Sequence, residues 1–245
     1  MSMPKAPRYR RVILKISGES FSRPGTFGID ATELRLIAEE IAQASQVGAQ
    51  MAVVVGGGNI IRGAALAESG GIDQPTADSM GMLGTVINGL ALKEALHALG
   101  REARVLSAIN LAAVAETFIR PRAMRHLEKG RVVILVAGTG NPFFTTDTAA
   151  ALRAAELRAD IVLKATKVDG VYTADPRKDP TARRYDHLTF AEAVERQLGV
   201  MDLTALTMCM ERSIPVCVFD FRRRGNIRGV VAGEPVGTMV TNAAP

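Results

Sequence analysis

The feature that most limits how this 245-residue chain can fold is an alternation of short apolar runs with longer segments of helical periodicity. Most of the apolar runs are rich in β-branched residues and show no alternation of apolar and polar positions. Such runs are typical of strands covered on both faces, as in a parallel sheet. We therefore predict strands at residues 12–16, 51–55, 132–137, 161–163 and 216–219.

The segments between these runs predict helices. Asp30-Ala31-Thr32-Glu33 has the form of a capping box, which opens a helix that ends near Gly48. Further helices are expected at residues 76–99, 122–128, 146–157, 189–198 and 203–212. Because helices between parallel strands act as crossover connections, the pattern predicts an α/β fold, a three-layer α/β/α sandwich around a mostly parallel sheet.

No linker, repeat or low-complexity segment divides the chain, so we expect a single domain across residues 1–245. Short flexible tails are expected at residues 1–9 and 241–245. The length is ample for one buried core.

The two cysteines argue against a disulfide-rich protein and against a cysteine-based metal site. Cys209 and Cys217 cannot form a disulfide framework, and neither belongs to a paired metal-ligand motif. The basic start of the chain leads into too few apolar residues for a signal peptide, and no apolar run approaches the roughly 20 residues that span a bilayer. We expect a soluble, cytoplasmic protein with no membrane partner.

The net charge of +5 is compatible with two kinds of polyanion, nucleic acids and small nucleotides. The chain has no tryptophan and only 4% aromatic residues, so it has little material for stacking the bases of a single strand. We therefore expect no nucleic-acid partner.

The loops that follow the predicted strands carry the chemistry, because ligands of open parallel sheets collect beyond the carboxyl ends of the strands. The first strand ends in Lys15-Ile16-Ser17-Gly18-Glu19, which places an ammonium group beside exposed backbone amides. This combination suits a phosphate group. The alternative is a lysine at a strand edge beside an ordinary turn.

The second strand runs directly into Gly56-Gly57-Gly58-Asn59, and Arg62 follows about one turn later. A strand, a glycine cluster and a helix start form an anion site, because unpaired N–H groups and the helix dipole favour negative charge. The segment is neither a Walker A loop nor a G-x-G-x-x-G fingerprint. The alternative is a flexible turn.

Two later loops combine groups that suit a nucleotide. Residues 138–147 contain glycines, three threonine hydroxyls, two phenylalanines that could wall a base, and Asp147 near a helix start. In residues 164–177, Tyr172 could pack against a base and Asp175 could accept from a ribose hydroxyl. The alternatives are a first-turn acid for Asp147 and an ordinary Asp-Pro turn with a core tyrosine for the later loop.

Together these segments resemble the amino acid kinase superfamily and, within it, the bacterial UMP kinases. The resemblance extends from about residue 11 to about residue 240. It implies the fold of the amino acid kinase superfamily. Its motifs are KISGES at 15–20, GGGNIIRG at 56–63, DSMGM at 78–82, GTGNPFFTTD at 138–147 and KATKVDGVYTADP at 164–176.

The resemblance implies phosphoryl transfer from ATP to UMP, giving UDP and ADP, as a step in pyrimidine nucleotide (CTP) biosynthesis. The implied catalytic residues are Lys15, Arg62 and Asp147. Those implied to bind ATP are Lys15, Ile16, Ser17, Gly18, Gly58, Arg62, Thr166, Tyr172 and Asp175. Those implied to bind UMP are Gly57, Asp78, Thr139, Gly140, Asn141, Pro142, Phe143, Phe144, Thr145 and Thr146.

The expected mechanism needs no general base, because the acceptor phosphate is already ionised near neutral pH. Lys15 and Arg62 would neutralise the migrating phosphoryl group, Asp147 would orient Lys15, and Lys164 would help to screen charge. Mg²⁺ would arrive bound to ATP, since no carboxylate pair suggests a protein-borne metal site.

The resemblance further implies a homohexamer that is activated by GTP and inhibited by UTP. The stretch linked to GTP corresponds to Arg23, Pro24, Gly25, Thr26, Phe27 and Gly28. The apolar helices at residues 31–44 and 80–96 could supply a subunit interface, and burial within the monomer explains them equally well.

Two other functions stay open from the sequence. One is a different small-molecule kinase of the same superfamily, with a carboxylate or carbamate as acceptor. The other is a non-catalytic nucleotide-binding protein on the same fold.

Overall fold

A computed structural model describes residues 7–61, 70–176 and 178–243 of the chain. Within these ranges the strands form one sheet in the order β4-β3-β5-β2-β1-β6-β8-β9-β7. The neighbouring strands are parallel, except that β8 and β9 are antiparallel. The strands are β1 (Arg11–Ile16), β2 (Gln50–Val55), β3 (Ala103–Ser107), β4 (Glu116–Thr117), β5 (Val132–Val136), β6 (Ile161–Thr166), β7 (His187–Thr189), β8 (Val216–Asp220) and β9 (Thr238–Thr241).

Helices cover both faces of this sheet, which confirms the predicted three-layer fold. They are α1 (Ala31–Ser45), α2 (Gln74–Ala98), α3 (Arg120–Glu128), α4 (Thr146–Leu157), α5 (Phe190–Glu195), α6 (Leu203–Glu211) and α7 (Asn226–Ala232), and a short 3₁₀ helix spans Gly18–Phe21. Among the described residues, no helix combines the length and the apolar character needed to cross a membrane.

The core has two parts, one on each face of the sheet. Apolar side chains of α1, α2 and α7 pack on one face, and those of α3, α4, α5 and α6 pack on the other. Within β1, Leu14 belongs to the first cluster and Ile13 to the second, because successive side chains of a strand point to opposite faces. By the same alternation, Lys15 lies on the face that α4 covers.

Several predicted boundaries are wrong for local reasons. Strand β5 ends at Val136 because Ala137 has a left-handed backbone, with φ 62°. Strand β6 continues past residue 163 to Thr166, so Lys164 lies in the sheet and not in a loop. Helix α5 ends at Glu195, shortly before Gln197 with φ 50°.

The start of α1 is only partly the predicted capping box. The Asp30 carboxylate accepts from the backbone N–H groups of Thr32 and Glu33, at 2.8 and 3.2 Å, as expected of an N-cap. The backbone N–H of Asp30, however, donates to Phe21 O at 2.8 Å. The reciprocal bond of a capping box, in which Asp30 N–H would donate to the Glu33 carboxylate, is replaced by this contact with Phe21.

The domain organisation stays a prediction. Of the expected tails, residues 1–6 and 244–245 lie outside the described residues, and Thr241 is the last residue of β9.

Candidate active site

The carboxyl ends of β1, β2, β5 and β6 form the edge at which the candidate site lies. Strand β1 is central, with β2 on one side and β6 on the other. The chain first extends the sheet beyond β2 and then crosses to β6, so β1 marks a topological switch point. The loops after these strands therefore meet at one crevice.

Two lysines and one aspartate form the charged centre of this crevice. Lys15 and Lys164 are directly paired in the register of β1 and β6, so both ammonium groups lie on the face that α4 covers. Asp147, in the first turn of α4, lies between them: Lys15 Nζ is 2.8 Å from Oδ1, and Lys164 Nζ is 2.8 Å from Oδ2. Lys164 Nζ also donates to Val200 O at 2.6 Å.

The electrostatics of this group keep Asp147 ionised. Burial alone would raise the pKa of its carboxyl, because a buried charge loses hydration. The attraction of the Lys15 and Lys164 ammonium groups outweighs burial, and the pKa of Asp147 lies below its ordinary value. Asp147 is thus ionised near neutral pH, where it fixes two cations and is poorly suited to accept a proton.

The glycine loop touches the end of β1. A Cβ atom built on Gly18 would collide with the backbone N of Gly58, and one built on Gly56 would lie 2.5 Å from the backbone N of Gly18. Gly56 N–H also donates to Ile16 O at 2.8 Å. The lysine-bearing strand end and the glycine loop therefore form one surface, and glycine is required there because two backbones meet.

Two backbone N–H groups of this loop are available for a ligand. Among the described residues, neither Gly57 N–H nor Gly58 N–H donates a hydrogen bond. Gly57 is closed in by α2, since a Cβ there would lie 2.6 Å from Gly81 O. Gly58 has open space where a Cβ would be and has no positive φ, so neither packing nor backbone geometry demands glycine. The space beside Gly58 is therefore open to a ligand that approaches the backbone.

A cavity of about 220 Å³ adjoins the loop on its α2 side. It is bounded by Gly57, Gly58, Ile61, Ala77, Asp78, Gly81, Met82, Thr85, Gly138, Thr139, Asn141, Phe144, Thr145 and Thr146. Most of the residues predicted to bind UMP are therefore brought together. Thr146, which lines the cavity, directly precedes Asp147 in α4, so the cavity and the charged centre meet at the start of this helix.

Asp78 is anchored at the wall of the cavity by two contacts. Its Oδ1 accepts from Gln74 Nε2 at 2.8 Å, and its Oδ2 accepts from the backbone N–H of Phe143 at 2.7 Å. Phe143 is 70% exposed and has φ 71°, a left-handed conformation, so the bond holds a strained turn. The Asp78 carboxylate thus couples α2 to the loop after β5.

Comparison with known proteins agrees with this geometry. A sequence model described as the amino acid kinase family matches residues 10–220. The chain belongs to the amino acid kinase family. The predicted family membership and fold are therefore confirmed.

Solved structures similar to this member of the family include a UMP kinase from Bacillus anthracis, with 40% sequence identity and a TM-score of 0.93 over 96% of this chain and 97% of that one. A UMP kinase from Ureaplasma parvum has 40% identity and a TM-score of 0.89, over 96% and 99% of the two chains. A uridylate kinase from Archaeoglobus fulgidus has 30% identity and a TM-score of 0.70, over 94% and 99%.

The residues predicted to bind ATP are less closely grouped than those predicted to bind UMP. Ile16 is fully buried at the end of β1, and its carbonyl accepts from Gly56 N–H, so its predicted contact with ATP is not open in this structure. Thr166 ends β6 and donates to Val168 O at 2.6 Å. The Tyr172 hydroxyl donates to Asp169 at 2.8 Å, and the pKa of Tyr172 is raised mainly by this hydrogen bond. Asp175 is exposed.

One predicted catalytic residue, Arg62, lies outside the described residues, and its role stays a prediction. The predicted GTP stretch, Arg23 to Gly28, is described. Arg23, Gly25, Thr26 and Phe27 bound a second cavity of about 230 Å³, together with Glu19, Ser22, Gly58, Asn59 and Lys167. This loop therefore meets the glycine loop at Gly58 and Asn59.

Two polar side chains that hold the site together, Thr85 and Asp202, were not predicted from the sequence. Thr85 accepts from the backbone N–H of Ala137 at 2.7 Å and so fixes the sharp turn after β5. Asp202 accepts from the hydroxyls of Thr145 and Thr148, which links the N-terminus of α4 to that of α6. Asp202 stands just before an expected helix, a signal that would have identified it as an N-cap.

The different surroundings of two adjacent glycines give the first prediction. Gly57→Ala should lower the free energy of unfolding by about 1–3 kcal/mol, because its Cβ would press on the backbone of α2. Gly58→Ala should leave thermal stability nearly unchanged and lower kcat/KM for phosphoryl transfer at least about 10-fold. Thermal denaturation and steady-state kinetics of both variants test this. Full activity of Gly58→Ala would show that the open space is not needed by a ligand.

Proposed function

We propose that this chain catalyses phosphoryl transfer from ATP to UMP, giving UDP and ADP. The observation that carries the proposal is the Lys15–Asp147–Lys164 group beside a glycine loop with two N–H groups that have no partner among the described residues. The similarity of this chain to solved UMP and uridylate kinases supports the choice of UMP as the acceptor.

The proposed mechanism is positioning combined with stabilisation of charge. An oxygen of the UMP phosphate forms a bond to the γ-phosphorus of ATP, the bond from that phosphorus to the β–γ bridging oxygen breaks, and ADP leaves with the electron pair. Lys15 neutralises charge on the migrating phosphoryl group, with its ammonium held in place by Asp147. The N–H groups of Gly57 and Gly58 donate to its oxygens.

Asp147 orients Lys15 and does not act as a general base. Its lowered pKa keeps it ionised, and its two oxygens are occupied by ammonium groups. The acceptor phosphate is itself ionised, so no base is needed. Lys164 adds a second positive charge on the same face of the sheet, which supports its proposed part in screening charge.

We propose Mg²⁺ at this site only as a companion of ATP. The described residues contain no group of three His, Cys, Asp or Glu side chains placed to hold a metal ion, and Asp147 is engaged by lysines. We therefore propose that the phosphates of ATP would hold the ion, which would neutralise part of their charge.

Asp78 distinguishes UMP from the other possible acceptors of the phosphoryl group. A carboxylate at the wall of the cavity would accept from the ribose hydroxyls of UMP, whereas it would repel a small carboxylate or carbamate acceptor. This contact favours a nucleotide over the acceptors of related small-molecule kinases.

A substitution at Asp78 tests this assignment. Asp78→Asn should raise the KM for UMP about 10-fold or more, because a hydrogen bond to a charged group is lost, and should leave the KM for ATP nearly unchanged. Asp73→Asn is the matched control: it removes the same charge one turn earlier, at an exposed N-cap whose side chain makes no capping bond. Equal effects of the two changes on the KM for UMP would contradict a contact between Asp78 and ribose.

The function as a whole is tested by an ADP-release assay with ATP and each of UMP, CMP, glutamate and carbamate. We expect turnover with UMP. Turnover only with glutamate or carbamate would favour another kinase of the family, and nucleotide binding without turnover would favour a non-catalytic protein. The GTP and UTP effects, the homohexamer and the cytoplasmic location stay predictions from the resemblance.

A further inference from the structure

A pair of buried asparagine side chains lies beneath the glycine loop. Asn59 is 2% exposed and Asn88, in the middle of α2, is fully buried. Their amides bond to each other in both directions: Asn59 Nδ2 donates to Asn88 Oδ1 at 3.0 Å, and Asn88 Nδ2 donates to Asn59 Oδ1 at 2.6 Å. Buried carboxamides carry a large desolvation cost, so their retention calls for a physical reason.

The remaining N–H group of each amide holds a different backbone carbonyl. Asn88 Nδ2 donates to Gly56 O and Asn59 Nδ2 donates to Gly28 O, each at 2.8 Å. Gly28 N–H donates back to Asn59 O, also at 2.8 Å. With every side-chain N–H used, the pair is a complete network that joins α2, the glycine loop and the loop of residues 23–28.

This network fixes the direction of Gly57 N–H, one of the two N–H groups of the glycine loop that have no partner among the described residues. In a planar trans peptide, the carbonyl and the N–H that follows it point in opposite directions. Because Gly56 O is held by Asn88, Gly57 N–H must point away from the buried amide pair. Gly57 O accepts from Ile60 and Ile61 N–H in the turn that contains Asn59, which fixes Gly58 N–H in the same way.

We propose that Asn88, together with Asn59, is a positioning residue for phosphoryl transfer: it orients the Gly56–Gly57 peptide so that its N–H group faces the phosphate. Asn88 does not touch the reacting groups and acts through the backbone. The proposal rests on the function proposed above. It assigns a catalytic consequence to a side chain that otherwise would serve only the packing of α2 against the sheet.

Two leucine substitutions separate positioning from packing. Asn88→Leu removes the donor to Gly56 O. Asn59→Leu disrupts the same buried pair and frees Gly28 O, but leaves Asn88 able to hold Gly56 O. Leu92→Ala, one turn further along α2 in the apolar core, is a control that lowers stability without a polar change. Kinetics are measured well below the lowest melting temperature of the set.

Asn88→Leu should lower kcat about 10- to 100-fold with less than about a threefold change in the KM for UMP, since misplacement of a catalytic group affects the transition state most. Asn59→Leu should lose less, and Leu92→Ala should keep its kcat while its melting temperature falls. If Asn88→Leu retains kcat within about twofold of wild type, or loses no more than Leu92→Ala, the positioning role is overturned.

A crystal structure of Asn88→Leu gives a readout independent of turnover. We expect the Gly56–Gly57 peptide to rotate and Gly57 N–H to change direction. An unmoved peptide would overturn the positioning role even if the variant were inactive. Absence of UMP turnover in the wild-type protein would instead count against the proposed function, and the orientation of the peptide would still decide the role of Asn88.

Discussion

Lys15→Ala should lower kcat for UMP phosphorylation by about 100- to 1000-fold, with a much smaller change in the KM for UMP. The ammonium group lies at the end of β1, held 2.8 Å from the Asp147 carboxylate and next to the glycine loop. It meets the charge that develops on the migrating phosphoryl group, so its loss affects the transition state more than substrate binding. Steady-state kinetics with both substrates varied measure the two parameters separately.

The matched control is Lys129→Ala. Lys129 is exposed directly after α3, just before β5, and therefore lies at the opposite edge of the sheet. This variant should keep wild-type kinetics. A Lys15→Ala enzyme with near-normal kcat would refute the role assigned to Lys15.

Asp147→Asn should lower kcat by a similar factor, about 100- to 1000-fold, through a different cause. The amide keeps the shape of the side chain but no longer offsets two ammonium groups on adjacent strands. Lys15 and Lys164 would then repel each other, and Lys15 would lose its orientation. Glu128→Gln, an exposed carboxylate-to-amide change at the end of α3, should leave kcat unchanged.

The difference in stability between the wild-type protein and Asp147→Asn should depend on pH in a defined direction. The folded-state pKa of Asp147 is below its ordinary value of 3.8, so the ionised carboxylate stabilises the fold fully above that value. The contribution is lost as pH falls through the folded-state pKa. The gap in unfolding free energy between wild type and Asp147→Asn should be on the order of 3 kcal/mol near neutral pH and should shrink below about pH 4.

Denaturant unfolding at a series of pH values measures this gap. A gap that grew on acidification, or one that was absent at neutral pH, would contradict the ion-pair geometry.

The sequence contained most of the information needed to predict the fold. Runs such as residues 12–16 and 51–55 are apolar at almost every position, which is what burial on both faces of a parallel sheet requires. Strand β3 was not predicted, because Arg104 interrupts a short apolar run. Strands β4, β7 and β9 are at most four residues long, too short for a periodic signal.

The site residues in loops that follow a strand were predicted from the sequence. Those whose side chains meet across different helices and strands were missed. The importance of Lys164 depends on register: it lies beside Lys15 only because β6 continues beyond residue 163. Asn88 and Thr85 lie within α2, and a helical pattern alone does not show that they hold backbone atoms of two loops. Such contacts depend on the packing of α2 against the sheet, which no local pattern encodes.

The central claim is that the ends of β1 and β2 hold one phosphoryl group between Lys15 and the glycine-loop amides. It is tested most directly by a crystal structure with UMP and a non-hydrolysable ATP analogue. We predict that Lys15 Nζ and the N–H groups of Gly57 and Gly58 lie within about 3.2 Å of oxygens on the phosphates that react, with the uridine in the Asp78 cavity. Phosphates bound in a cleft away from Lys15, or lysine and glycine amides facing separate clefts, would contradict it.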